Sequence, residues 1–156
     1  MTNLARSLVV LGVVTAASLT PLRAQAACST ASTAGKWAYT YTGTIFTPTG
    51  ALPAASVGHF KQDAQGNLSG GQARSVAGQS GWEDISGTVT VNDDCTGTAS
   101  IQVEVNGQLQ RTAELAVVYD SNGNHMRAIF QSLILPGGTN LPVVLTIDAN
   151  RVTTRN

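Results

Sequence analysis

Alternation of apolar with small polar residues along this 156-residue chain predicts an all-β fold, a single antiparallel up-and-down barrel of about eight strands. Three observations carry the prediction. Period-2 alternation recurs in segment after segment, no stretch of the body of the chain carries a helical period, and short turn signals make sequence neighbours into antiparallel partners. Closing such strands on themselves removes exposed edges, and a two-sheet sandwich is the alternative with the same strand content.

The amino terminus reads as an export signal. Met1 to Arg6 carries one basic residue, and residues 8–19 form an apolar run too short to span a bilayer. Ala24-Gln25-Ala26 supplies small residues at alternate positions, which sets the expected cut before Ala27. Residues 1–26 are thus expected to be a signal peptide and 27–156 one barrel domain of roughly 130 residues, working in the periplasm or beyond it. Lipid attachment at Cys28 competes, but Gln25 stands where such a site wants a branched apolar residue.

Two cysteines follow the cut, Cys28 and Cys95, an even count in a chain sent to an oxidising compartment, and a disulfide is the simplest reading. The bridge would stabilise the fold by about 4 kcal/mol on the loop-entropy model. A metal or redox site would need companions. No Cys-x-x-Cys exists, and His59 and His125 are far apart in sequence, so no metal and no cofactor is expected. The balance of 9 basic and 9 acidic residues, with the basic ones scattered, gives no electrostatic footprint for nucleic acid. Beyond the signal there is no candidate membrane anchor.

The first strand signal spans residues 36–46, where Trp37, Tyr39 and Tyr41 alternate with Ala38, Thr40 and Thr42. Two prolines and a glycine in residues 47–53 predict a loop. Alternation resumes over residues 56–62, turns at Asp63-Ala64-Gln65-Gly66-Asn67 into residues 68–76, and continues after Ser80-Gly81-Trp82 into residues 85–91.

The next hairpins can be tested for register, since facing residues share a side of the sheet. A two-residue turn at Asn106-Gly107 would set Val103 opposite Gln110. A three-residue loop, 106–108, instead pairs Val105 with Leu109, Val103 with Arg111, Ile101 with Ala113 and Ala99 with Leu115, and is preferred. At Asn122-Gly123 the two-residue turn wins, pairing Tyr119 with Met126, Val117 with Ala128 and Leu115 with Phe130 on the inner face. Ile129, Leu133 and Leu135 are then expected outside, over a subunit interface of a homo-oligomer, a chain terminus, or a second sheet or loop packed there. A last strand, 143–152, follows the turn at Pro136-Gly137-Gly138-Thr139-Asn140.

Gly35-Lys36-Trp37 at the first strand and Arg151 at the end of the last resemble the signature of the calycin superfamily, the lipocalins and avidins. The resemblance implies a closed barrel end where Arg151 packs across the Trp37 indole by cation-π attraction, with Gly35, Trp37 and Arg151 structural. The lipocalin Thr-Asp-Tyr element and a helix after the barrel are missing. Cys28-Ser29 before Gly35-Lys36-Trp37 is similar to avidin, but only Trp37 and Trp82 are available for a biotin cage. Gly-Asn-Leu-Ser-Gly at 66–70 and Asp-Cys-Thr-Gly at 94–97 resemble small exported bacterial proteins.

Arg111 is the one charged residue that this register places on the apolar face. It either snorkels to the rim and pairs with an acid there, or anchors a ligand carboxylate with its planar fork. Tyr119 and Ser132 would add hydroxyls, and Tyr39 and Phe130 complete the candidate ligand-binding set. No catalytic residue is assigned. Glu83, Asp84, Asp93, Asp94 and Glu104 lie in or beside turns and are expected to be solvated; Ser56, Ser69, Ser75 and Ser80 lack a nucleophile elbow; His59 is expected outside. Asn67-Leu68-Ser69 matches a glycosylation sequon, relevant only in a eukaryotic secretory host. Small inward residues, Ala99, Ala113 and Ala128, favour a hollow interior.

The function expected is that of an exported, lipocalin-like barrel binding a small, largely apolar molecule, with residues 48–53 as a rim. An allene-oxide-cyclase-like isomerase or cyclase is the alternative, and it needs an acid facing the cavity that the register does not supply. A non-catalytic envelope protein acting through its surface is the third.

Overall fold

The computed structural model describes residues 28–120 and 122–153; the expected signal peptide, 1–26, lies outside the described residues. The described chain is all-β. Strands β1 (Gly35–Thr47), β2 (Gly50–Gln62), β3 (Asn67–Val76), β4 (Gln79–Val91), β5 (Thr96–Val105), β6 (Gln108–Asp120), β7 (His125–Ile134) and β8 (Val143–Arg151) pair in sequence order. The antiparallel pairing of β1 with β8 closes them into a barrel. Alternation sorts the faces. Trp37, Tyr39 and Tyr41 of β1, Val117 and Tyr119 of β6 and Leu145 of β8 are buried inside.

Three local expectations need correction. The loop expected over 47–53 shrinks to a tight turn at Pro48 and Thr49, because β2 already runs from Gly50 and pairs Leu52 with Ile45 and Pro53 with Thr44. Pro53 is tolerated because it lies past the end of the β2–β3 ladder, where its carbonyl takes the Ala77 N–H at 2.9 Å.

The β5–β6 hairpin uses the two-residue turn after all. Asn106 and Gly107 both have positive φ, 52° and 73°, as a turn matched to the strand twist requires. Val105 faces Gln108 and Glu104 faces Leu109. A bulge then takes up Gln110, so that Val103 faces Arg111, Ile101 faces Ala113 and Ala99 faces Leu115, the expected inner register.

In the β6–β7 pair, Tyr119 faces Met126, Val117 faces Ala128 and Leu115 faces Phe130, as expected, and a second bulge at Gln131 follows. One extra residue flips every later side chain. Leu133 is therefore inside, at 2% exposure, where it was expected outside; Ile129, at 48%, remains outside.

The seven residues before β1 plug one end of the barrel. Buried Thr33 accepts a 2.9 Å hydrogen bond from Gln62 Nε2 at its hydroxyl and a 3.2 Å bond from Trp37 Nε1 at its carbonyl. The Arg151 guanidinium lies 5.4 Å from the Trp37 ring centre and donates to the Ser32 carbonyl at 2.8 Å. Arg151 is also the ladder partner of Trp37, and its aliphatic stem runs past Gly35. A disulfide joins Cys28 of the plug to Cys95 in the β4–β5 turn.

Candidate functional site: the barrel cavity

Above the plug the barrel is hollow. Its cavity of about 280 Å³ lies just below the roughly 300–1,000 Å³ range of ligand sites. The deep wall is apolar, with Phe60, Leu68, Val89, Val117 and Met126, and the far wall carries Phe130, Leu133 and Leu145. Ile45, Leu52, Val76, Leu135 and Leu141 line the end away from the plug. Leu135, expected outside, thus joins the cavity, turned by the Gln131 bulge like Leu133.

One side of this apolar interior carries a connected polar cluster from β1, β2, β3, β4 and β6. At its centre is Glu83, at 1% exposure. Arg111 grips it with both terminal nitrogens, Nη1 to Oε1 at 2.8 Å and Nη2 to Oε2, while Arg74 donates from Nε to Oε1. Gln72 Nε2 donates to Oε2 at 2.8 Å. The Gln72 carbonyl oxygen in turn accepts from the Tyr39 hydroxyl at 2.8 Å and from Ser56 Oγ at 3.0 Å. Every polar atom of Glu83 and the Gln72 amide nitrogen is thereby engaged, the condition under which a buried polar cluster is stable.

Electrostatics follow from this packing. Burial pushes the Glu83 carboxyl up, but the bonds and charge of Arg111, with Gln72 and Arg74, outweigh it and hold the group below the usual carboxylate range. Burial pushes the Tyr39 hydroxyl well above its usual value, helped by Tyr41 and by the Glu83 charge. Tyr119 is pushed up to about 12 by burial. The tyrosines are neutral hydrogen-bonding groups at neutral pH, and Glu83 is an ion.

The residues expected to bind ligand separate into three groups. Tyr39, Arg111, Tyr119 and Phe130 all line the cavity. Tyr119 sits deep, edge-on to Trp37 with ring centres 5.7 Å apart, and Phe130 meets Tyr41 in the same way at 6.0 Å. Arg111 has its fork occupied by Glu83, so it is a partner of an interior acid and has no free fork for a ligand carboxylate. Ser132 does not line the cavity. The Gln131 bulge sets it opposite exposed Glu114, and its hydroxyl is buried there without a hydrogen-bond partner among the described residues.

Glu83 was expected to be solvated beside a turn, which the structure overturns. Because β4 starts at Gln79, Glu83 is well inside the strand and shares the parity of buried Ile85, Val89 and Val91. That parity was a usable signal. Gln72 and Arg74 share the parity of Leu68 and Val76 in the same way. Neither a protein-family model, a curated protein nor a solved structure matches the chain.

Proposed function

We propose that this chain is an exported, calycin-like binding protein that carries a small, largely apolar molecule inside its barrel. The observation that carries the reading is the cavity itself, apolar on most of its wall and plugged at one end by residues 28–34. Such a site holds a ligand by removing its apolar surface from water and orients it with a few fixed polar groups. The disulfide fits an oxidising compartment. Together with residues 1–26, read as a signal peptide, it supports a periplasmic or secreted protein.

The interior carboxylate gives a specific reason to keep the isomerase or cyclase reading second. That chemistry needs an acid at the cavity, and Glu83 is buried next to it, bonded to Arg74 and Arg111 of the cavity wall without lining the space itself. Its ionised state and its four donor contacts make it a poor proton donor and a weak base, so the carrier reading stands first.

Native mass spectrometry of the protein purified from its own host, before and after mild organic extraction, tests the carrier reading. A bound small molecule that extraction removes is the expected result. A bare mass in both samples transfers the weight to an enzyme that releases its product or to a surface-acting protein.

A further inference from the structure

The polar cluster is not electrically balanced. Two guanidinium groups, Arg74 and Arg111, meet one carboxylate, Glu83, and among the described residues these two arginines are the charged side chains that line the cavity. An excess of one positive charge, partly withdrawn from water, is costly until an anion meets it. The two arginines are not equivalent. Arg111 spends both Nη groups on Glu83, whereas Arg74 uses only Nε, and neither Nη of Arg74 has a hydrogen-bond partner among the described residues. Arg74 lines the cavity two residues from the end of β3, with its side chain 30% exposed. Its free edge is a planar pair of donors suited to a carboxylate or sulfate. Away from the cluster the described wall is mostly aromatic and aliphatic, with Gln62 as a polar side chain at the plug end.

Resting on the carrier reading, we propose that the ligand is a small single-tailed amphiphile with one negative charge, its head on the outer edge of Arg74 and its tail against the deep wall. Glu83 then has a positioning role. It holds both guanidinium groups in place and cancels one charge, leaving a site for a monoanion.

Isothermal titration of the oxidised protein with octanoate and with octan-1-ol, which share a tail and differ in head charge, tests this. Octanoate is expected to bind at least about tenfold more tightly, the scale of a hydrogen bond to a charged group. Arg74→Gln is expected to bring the affinity ratio of the two probes towards one, and Arg74→Lys to restore most of the preference. Equal binding of both probes by the unmodified protein overturns the charged head while leaving the carrier reading intact. A preference that survives in R74Q overturns the assignment to Arg74. Failure to bind either probe removes the carrier reading and this proposal together. The comparison on the unmodified protein decides the first question even if R74Q does not fold.

Discussion

Glu83 is the residue on which the interior depends most. Its carboxylate holds two arginines that face the same cavity, and removing it would leave two guanidinium groups close together with no counter-charge. Glu83→Gln is expected to destabilise the fold by about 3 kcal/mol in urea unfolding, the scale for breaking one side of a buried ion pair. The pH dependence has a definite sign. Because the folded carboxyl titrates below its unfolded value of about 4.5, its contribution is present above that pH and is lost as the pH falls through the lower folded value. The acid limb of the stability curve should therefore be shallower in E83Q than in the unmodified protein, which a series of unfolding curves from pH 6 down to pH 3 would check. An unchanged limb would place the acid sensitivity in other carboxylates.

Among the strands, close backbone approach decides where the bulky interior groups go. Gly58 of β2 is the ladder partner of Tyr39, and a Cβ there would lie 2.7 Å from the Tyr39 ring and 2.7 Å from the Gly71 carbonyl oxygen. The missing side chain lets the Tyr39 ring lie flat across β2 and reach Gln72. Gly58→Ala should cost roughly 1–3 kcal/mol by overpacking and push Tyr39 off Gln72. Denaturant midpoints would show the loss, and a Gly58→Ala protein as stable as the unmodified one would mean that β2 and β3 can separate slightly at no cost. The other inter-strand device is at the floor end. His125 bonds Asp120 at 2.7 Å through Nδ1 and Asp148 at 2.9 Å through Nε2, tying the β6–β7 hairpin to β8.

For the molecule as a whole, the faces are sorted in the sense opposite to a membrane-spanning barrel. Outward positions of β1 and β5 carry Thr40, Thr42, Thr98 and Ser100 while the apolar residues point in, whereas a lipid-embedded barrel turns its apolar band outward. Large apolar side chains do reach the surface, Val57, Trp82, Val118, Ile129 and Val144 among them. With Leu133 buried and Leu135 at the open rim of the cavity, 36% exposed, however, the outer patch that would have supported an oligomer or a surface-acting role is reduced. The floor is also held covalently. The Cys28–Cys95 bridge closes a separation of 67 residues, and the double substitution of both cysteines by serine should lower stability by up to about 4 kcal/mol. Guanidinium unfolding of that variant beside the oxidised protein would measure it. A loss below about 1 kcal/mol would show that the hydrogen bonds of Thr33 and the packing of Trp37 seat the plug unaided.

Much of this was legible in the chain because alternation is local. Trp37, Tyr39 and Tyr41, or Val117 and Tyr119, announce their shared face within a few residues, and a run of such segments with tight turns leaves closure as the way to satisfy the outer edges. The all-β class and the barrel were determined at that level, and the pairing of Cys28 with Cys95 by the even cysteine count in a chain expected to be exported. The tertiary structure decided what depends on more than one strand at a time. Whether an odd residue is absorbed in a turn or in a bulge at Gln110 or Gln131 depends on the partner strand, and that choice sent Leu133 inside and Ser132 outside. The union of Glu83 with Arg111 lay further from reach. β4 and β6 are separated by β5, so the two side chains meet across the interior and not along any ladder whose register can be counted. Such a contact is set by the curvature of the closed sheet and the length of the side chains, quantities that no local period encodes.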